Sequence, residues 1–303
     1  MSAPTFILEL VSANTPQYVE FVPALTAAYH ALSTSPLPAK LVINVSACDF
    51  LAPGHLVVLA CLIEAYYQQQ IDVELLVADN EVYRYLQQIR FFEYWGPDFS
   101  RHEFTNNDLV TNLCLWQVDA TMIDHYAQQA KEYFSQQVLP GKNLDVLSLN
   151  WAELFNNICD HSRSGVQGYC FTQHYPNRQQ LVTAVCDFGI GIPTSINTMR
   201  RALGQPLLAE SEALRNALER GITTHSTPRN RGFGLDSLAT SVRALGGELI
   251  FLSNFAQLLQ APSGKIEAKG LPYYVPGTLI VVTLNTASLP DVETEQEADE
   301  FSF

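Results

Sequence analysis

Apolar residues follow two rhythms along this chain. Short runs such as "TFILELV", "KLVINVS" and "DVELLVA" read as strands. Between them, "PQYVEFVPALTAAYHAL" and "HLVVLACLIEAYYQQQ" carry apolar residues at helical spacing. "EVYRYLQQIRFFEYWG" follows as a single amphipathic helix. Strand and helix alternate in this way up to the polar stretch "GPDFSRHEFTNND", which predicts a compact α/β domain at 1–105.

Beyond that stretch the rhythm changes. A long helix, "ATMIDHYAQQAKEYFSQQV", is ended by "LPGKN", and a second helix, "VLSLNWAELFNNICDHS", follows. "GYCFTQHY" and "QLVTAVCDF" read as a hairpin across "PNRQ". Helices are expected again at "IPTSINTMRRAL", "SEALRNALERG" and, after the polar loop "ITTHSTPRNRG", at "GLDSLATSVRALGG". Three strands, "ELIFLSN", "GKIEAKG" and "GTLIVVTL", close a second domain at 113–286, and 287–303 reads as an acidic flexible tail. The expected fold class is α/β and α+β in two domains.

Composition narrows the partners. Of 303 residues, 47% are hydrophobic and 16% charged, which fits a globular chain. Lys+Arg 17 against Asp+Glu 31 gives a net charge of −14, which argues against nucleic acid or an anionic membrane as the main partner. The one basic stretch is "RNRGF". No apolar run reaches the length of a membrane span, and "MSAPTFILEL" lacks the basic start and apolar core of a signal peptide. Six scattered cysteines without a CxxC pair read as reduced, buried thiols, with disulfides as the alternative. A cytoplasmic protein is expected.

Three stretches carry candidate chemistry. On the helix "WAELFNNICDHS", Glu153 and Asn157 are one turn apart, with Asp160 and His161 near the same face, while Trp151, Leu154, Phe155 and Ile158 turn towards a core. A carboxylate beside a carboxamide suits a Mg²⁺–phosphate site, because the amide oxygen ligates a hard cation and the carboxylate polarises a water or hydroxyl. A solvated polar face is the alternative. In "VCDFGIGIP", Asp187 ends an apolar strand and Gly189 and Gly191 follow. The chain lacks the HRD loop a protein-kinase DFG needs, the third Gly of a dinucleotide turn, and a P-loop. What remains is a carboxylate that can accept from an exocyclic amine, with glycines that let a flat ligand approach, or an ordinary Asp–Gly turn. In "RNRGFGLDSL", Gly232, Phe233, Gly234 and Leu235 open a helix whose N–H groups can face an anion, with Arg229 and Arg231 able to meet phosphates. The alternative there is a plain Gly-rich helix start. Thr278, after Gly277 at the start of the last strand, is ordinary by itself.

The order of these stretches resembles the GHKL ATPases, the superfamily of gyrase B and the histidine kinases. "ExxxN" on a helix, "DxGxG" after a strand, a Ser/Thr-rich loop into "GxGL", and "GT" on a strand follow one another over roughly 115–284. The resemblance implies a Bergerat fold, an α/β sandwich with ATP and Mg²⁺ between a helix layer and a lid. It implies Glu153 as general base or water-positioning acid, Asn157 as Mg²⁺ ligand, and Asp187 as partner of the adenine amine. Gly189 and Gly191 would line the base pocket, Gly232 and Gly234 would hold phosphates beside Arg231, Phe233 and Leu235, and Thr278 would support the adenine. The run "ExxxNxxxH" is most similar to the anti-sigma-factor serine kinases, with His161 in a structural role. His125 lacks the acid and Pro that follow a histidine-kinase phosphoacceptor and reads as solvated.

The first domain is similar to STAS domains, and a generic α/β domain is the alternative. Ala52 and Pro53 of "LAPGHL" stand where a STAS phosphorylation turn has serines, which implies a docking or dimerisation module. The expectation is a regulator that binds ATP and acts on a protein partner. It would do so by phosphoryl transfer, as a non-catalytic switch, or by ATP hydrolysis. The helix at 118–138 could pair two subunits in a homodimer or pack on its own domain.

Overall fold

The computed structural model describes residues 4–11, 18, 21–101, 110–121, 123–161, 168–219 and 234–292. The first half runs β1 (Thr5–Glu9), α1 (Phe21–Ala31), β2 (Lys40–Asn44), α2 (Pro53–Gln68), β3 (Asp72–Leu76), α3 (Glu81–Gln88) and α4 (Phe91–Tyr94). The second runs β4 (Trp116–Gln117), α5 (Ile123–Gln137), α6 (Asp145–His161), β5 (Tyr169–Tyr175), β6 (Gln180–Asp187), α7 (Ile192–Ala202), α8 (Glu210–Asn216), α9 (Leu235–Ala244), β7 (Glu248–Gln260) and β8 (Ile266–Asn285). The chain is mixed α/β. A parallel three-stranded sheet has the order β1-β2-β3, and an antiparallel five-stranded sheet has the order β4-β5-β6-β8-β7.

The antiparallel sheet is apolar on both faces. Along β6, Leu181 and Val185 join the cluster formed with α5, α6 and α9, while Val182, Ala184 and Cys186 join the cluster of the first half. β8 alternates likewise, with Ile280 and Val282 on the helix side and Leu279 and Val281 on the other. Side chains one residue apart on a strand point to opposite faces, so "LVTAVC" and "TLIVVTL" each need cover twice.

α2 supplies the second cover. It is apolar all round and buried from Pro53 to Tyr66 apart from Glu64, as expected of a helix with no solvent face. It packs on β3 of the parallel sheet and on β5, β6 and β8 of the antiparallel one. One apolar cluster runs from Leu41 and Ile43 through Leu59 and Leu62 to Phe171, Ala184 and Leu279. Polar bonds cross the same seam: the Cys61 thiol donates to the Cys186 carbonyl at 3.3 Å, and Thr26 Oγ1 donates to the Tyr274 carbonyl at 2.7 Å.

Three sequence expectations change. The single helix over "EVYRYLQQIRFFEYWG" breaks at Arg90, which has φ 56°. Ile89 and Phe91 are both buried, and on one straight helix they would point about 200° apart, so the left-handed residue turns both inward. The last three expected strands are two, because β7 and β8 continue as a long hairpin through 254–260 and 266–275. Pro272 is tolerated because β8 pairs with β6 only from Thr278 onward, leaving an edge before it. Leu289 is buried, and Val292 N donates to the Gly141 carbonyl at 2.8 Å beside the Lys142–Asp291 ion pair, so 287–292 is held against the turn after α5. Residues 293–303 of the expected tail lie outside the described residues. All six cysteines are free, and no described helix is long and apolar enough to cross a membrane.

Because α2 is shared, Leu62→Ala is expected to lower stability by about 2–5 kcal/mol, with the whole chain still unfolding together. Denaturant melts followed by tryptophan fluorescence and by far-ultraviolet circular dichroism should coincide; separate midpoints would show that α2 does not join the two halves.

Candidate functional site

Three polar side chains form a row across one end of the antiparallel sheet. Asp187 pairs in register with Thr278, and Thr278 with Ser253. Asp187 is two residues from Val185, Thr278 two from Ile280 and Ser253 two from Phe251, so all three point to the helix-covered face. Ser253 and Thr278 hydroxyls are 3.0 Å apart, and Ser253 Oγ donates to the Gly277 carbonyl at 2.8 Å.

Asp187 is 6% exposed, and among the described residues its carboxylate has one hydrogen bond, from Gly189 N to Oδ1 at 2.7 Å. Burial pushes the Asp187 carboxyl up to about 7, and the Gly189 N–H opposes this. Gly277 has φ 61°, and a Cβ there would meet the Asp187 carbonyl at 2.1 Å and Gly189 N at 2.5 Å. The backbone before Thr278 therefore lies directly on the Asp187–Gly189 turn.

The turn is clamped from β7. Ile192 N donates to Ser253 Oγ at 3.0 Å. Asn254 Nδ2 donates to the Ile190 carbonyl at 3.2 Å, and Asn254 Oδ1 accepts from Thr194 Oγ1 at 3.1 Å. Gly191, φ 79°, caps α7, and a Cβ there would meet Asn254 at 2.5 Å. Ser253 and Asn254 were absent from the expected site. Their signal was a polar pair, "SN", interrupting the apolar run "ELIFLSNFAQLLQ", and they sit at a bulge in the β7–β8 ladder.

α6 brings the second group to the same end. Trp151 Nε1 donates to Thr183 Oγ1 at 3.0 Å, and two turns later Ile158 packs where a Gly168 Cβ would be, a position itself 2.9 Å from the Cys186 carbonyl. α6 thus runs alongside β6 in the same direction, and Asn157 lies towards the Asp187 end. Asn157 Nδ2 donates to Glu153 Oε1 at 2.9 Å and to the Glu153 carbonyl at 2.8 Å. This orients the carboxylate and leaves Asn157 Oδ1 without a partner among the described residues.

Gly234 caps α9 without a side-chain bond, and the first-turn N–H groups of Leu235 and Asp236 have no intrahelical acceptor. Asp236 places a carboxylate in that turn. Leu235 is buried in the helix-side core, and Ser241 Oγ donates to Asn150 Oδ1 at 3.0 Å, tying α9 to α6. Arg229, Arg231, Gly232 and Phe233 lie outside the described residues, as do the side chains of Asp160 and His161. His125 is exposed on α5.

The structure therefore brings Asp187, Gly189, Gly191 and Thr278 into one turn-and-strand corner, and the paired Glu153 and Asn157 towards it. Hard-oxygen donors and a buried acceptor suit a ligand that carries both an amine edge and a cation-bound anion. No family model matches the chain, and no curated protein matches it.

Two outcomes follow from this geometry. Gly277→Ala is expected to destabilise the chain by more than about 1 kcal/mol, read from thermal melting, because the left-handed backbone and the Asp187 carbonyl both exclude a Cβ; an unchanged melting temperature would contradict the close approach. The Asp187 carboxyl keeps its proton to higher pH in the fold than in the unfolded chain, so it lowers stability as pH rises from about 4 to about 7. Asp187→Asn should then be more stable than the parent above pH 7, by up to about 4 kcal/mol, with the gain fading below pH 4. A gain that is constant between pH 4 and pH 8 would place the titration elsewhere.

Proposed function

We propose that this chain is an ATP-binding regulator of the GHKL type, acting on a protein partner in the cytoplasm. The observation that carries the reading is the single sheet end where Asp187, backed by Thr278 and the Gly277 backbone, meets a helix bearing the Glu153–Asn157 pair. A buried carboxylate with one internal hydrogen bond accepts the adenine amine, and the rigid Gly189–Gly191 turn lies along the base. Asn157 Oδ1 is the protein ligand for Mg²⁺, whose charge would neutralise the phosphates. Glu153 accepts the proton of the attacking hydroxyl, on a serine or threonine of the partner or on water. A GHKL-type sandwich preceded by a STAS-like unit accords with the two sheets, and the two halves share a core.

A non-catalytic switch is the second reading, and one observation favours it. The first half bonds to the very strands that bear the site: Cys61 to Cys186, Thr26 to Tyr274, and Tyr29 edge-on to Phe188 at 4.9 Å. Nucleotide that shifts the Asp187–Gly191 turn would reach α1 and α2 directly, a population shift between two states.

Calorimetric titration with Mg-ATP is the test. Saturable binding is expected in the parent, lost in Asp187→Asn and retained in Glu153→Gln. Phosphate transfer or release should fall by about 10²–10⁴ in Glu153→Gln. Phosphate turnover in neither protein, with binding intact, would leave the switch; absence of binding in the parent would remove both readings.

A further inference from the structure

The other end of the antiparallel sheet holds an unassigned cavity of about 110 Å³ between the two halves. Gln180 begins β6 and Asp187 ends it, so the cavity is about 23 Å from the Asp187 corner at roughly 3.3 Å per residue. Its walls are apolar, from Val182, Ile250 and Val281 on the sheet to Phe50 and Pro53 opposite. Arg178 and Glu248 also line it. Among the described residues neither is in an ion pair, so two opposite charges face one cavity without meeting.

Tyr18 lines the cavity and is 3% exposed, with its ring and hydroxyl packed directly on Gly54 in the first turn of α2. The start of α2 also lines the cavity through Ala52 and Pro53; Pro53 has no N–H and the Ala52 N–H donates to His55 Nδ1 at 3.0 Å, so this wall is apolar. Burial raises the Glu248 carboxyl from its usual range, as expected where the countercharge is missing.

We propose that this cavity binds a small zwitterion, an amino acid with a short side chain such as alanine. Arg178 takes its carboxylate, Glu248 its ammonium, and the apolar walls its side chain. A volume somewhat below that of a cavity that holds benzene admits about six non-hydrogen atoms, which is the size of alanine. A ligand there touches both halves, from α2 to β7, and so favours their docked arrangement by mass action.

Titration of the full chain with L-alanine, followed by calorimetry and thermal melting, tests this. Saturable binding with a raised melting temperature is expected. Arg178→Gln and Glu248→Gln should each weaken binding at least tenfold while melting, without ligand, like the parent. Propionate and ethylamine, which keep one charge each, should bind at least tenfold more weakly. Asp187→Asn should leave alanine binding intact, since it lies at the other sheet end. No saturable binding of alanine, glycine or serine would overturn the proposal. Propionate or ethylamine binding as tightly as alanine would overturn it too, as would parent-like affinity in both glutamine variants.

Discussion

The structure depends on one requirement, cover for both faces of the five-stranded sheet. Antiparallel sheets commonly leave one face to water. Here β5, β6 and β8 are apolar in both directions, so an uncovered face would expose a large continuous patch. α5 to α9 cover one side. α2, with no polar face of its own, covers the other while backing the parallel sheet. A helix that must be buried all round and a sheet that must be buried twice satisfy each other.

This arrangement explains where polar chemistry is allowed. Within the sheet, polar atoms are paired, Thr183 with Trp151 of the helix layer and with Thr172 on the neighbouring strand. At the strand ends Asp187, Thr278 and Ser253 form a buried polar row on the helix-covered face. Burying a carboxylate with a single N–H partner is unfavourable, and the raised Asp187 pKa reports that cost. The fold tolerates it because the turn is fixed by independent contacts: Ser253 and Asn254 from β7, and the glycine backbone of Gly277 from β8. Such a held, underpaired carboxylate is what the proposed base pocket requires, since the nucleotide would supply the missing donor.

Electrostatics set a second condition on the proposed ligand. The chain carries −14, and Glu153 and Asp187 place two of its acidic side chains at the candidate site. A polyphosphate would enter against that charge, so the Mg²⁺ proposed at Asn157 would be needed to offset it.

The sequence by itself determined most elements, because their apolar periods match their buried faces: α5, α6, the β5–β6 hairpin and α9 stand close to where the pattern puts them. It also determined the Glu153–Asn157 pair, since helical spacing alone brings i and i+4 together. It failed at Arg90, where two buried residues two apart demand a left-handed break that no breaker residue announces. It failed too at β7 and β8, where glycines and prolines read as stops are harmless on an edge. Tertiary structure alone decided that Asp187, Thr278 and Ser253 share one row, because strand register joins residues 66 and 91 positions apart. It likewise decided that α2 belongs to both sheets. An apolar helix states that it is buried, but only the assembled layers say against what.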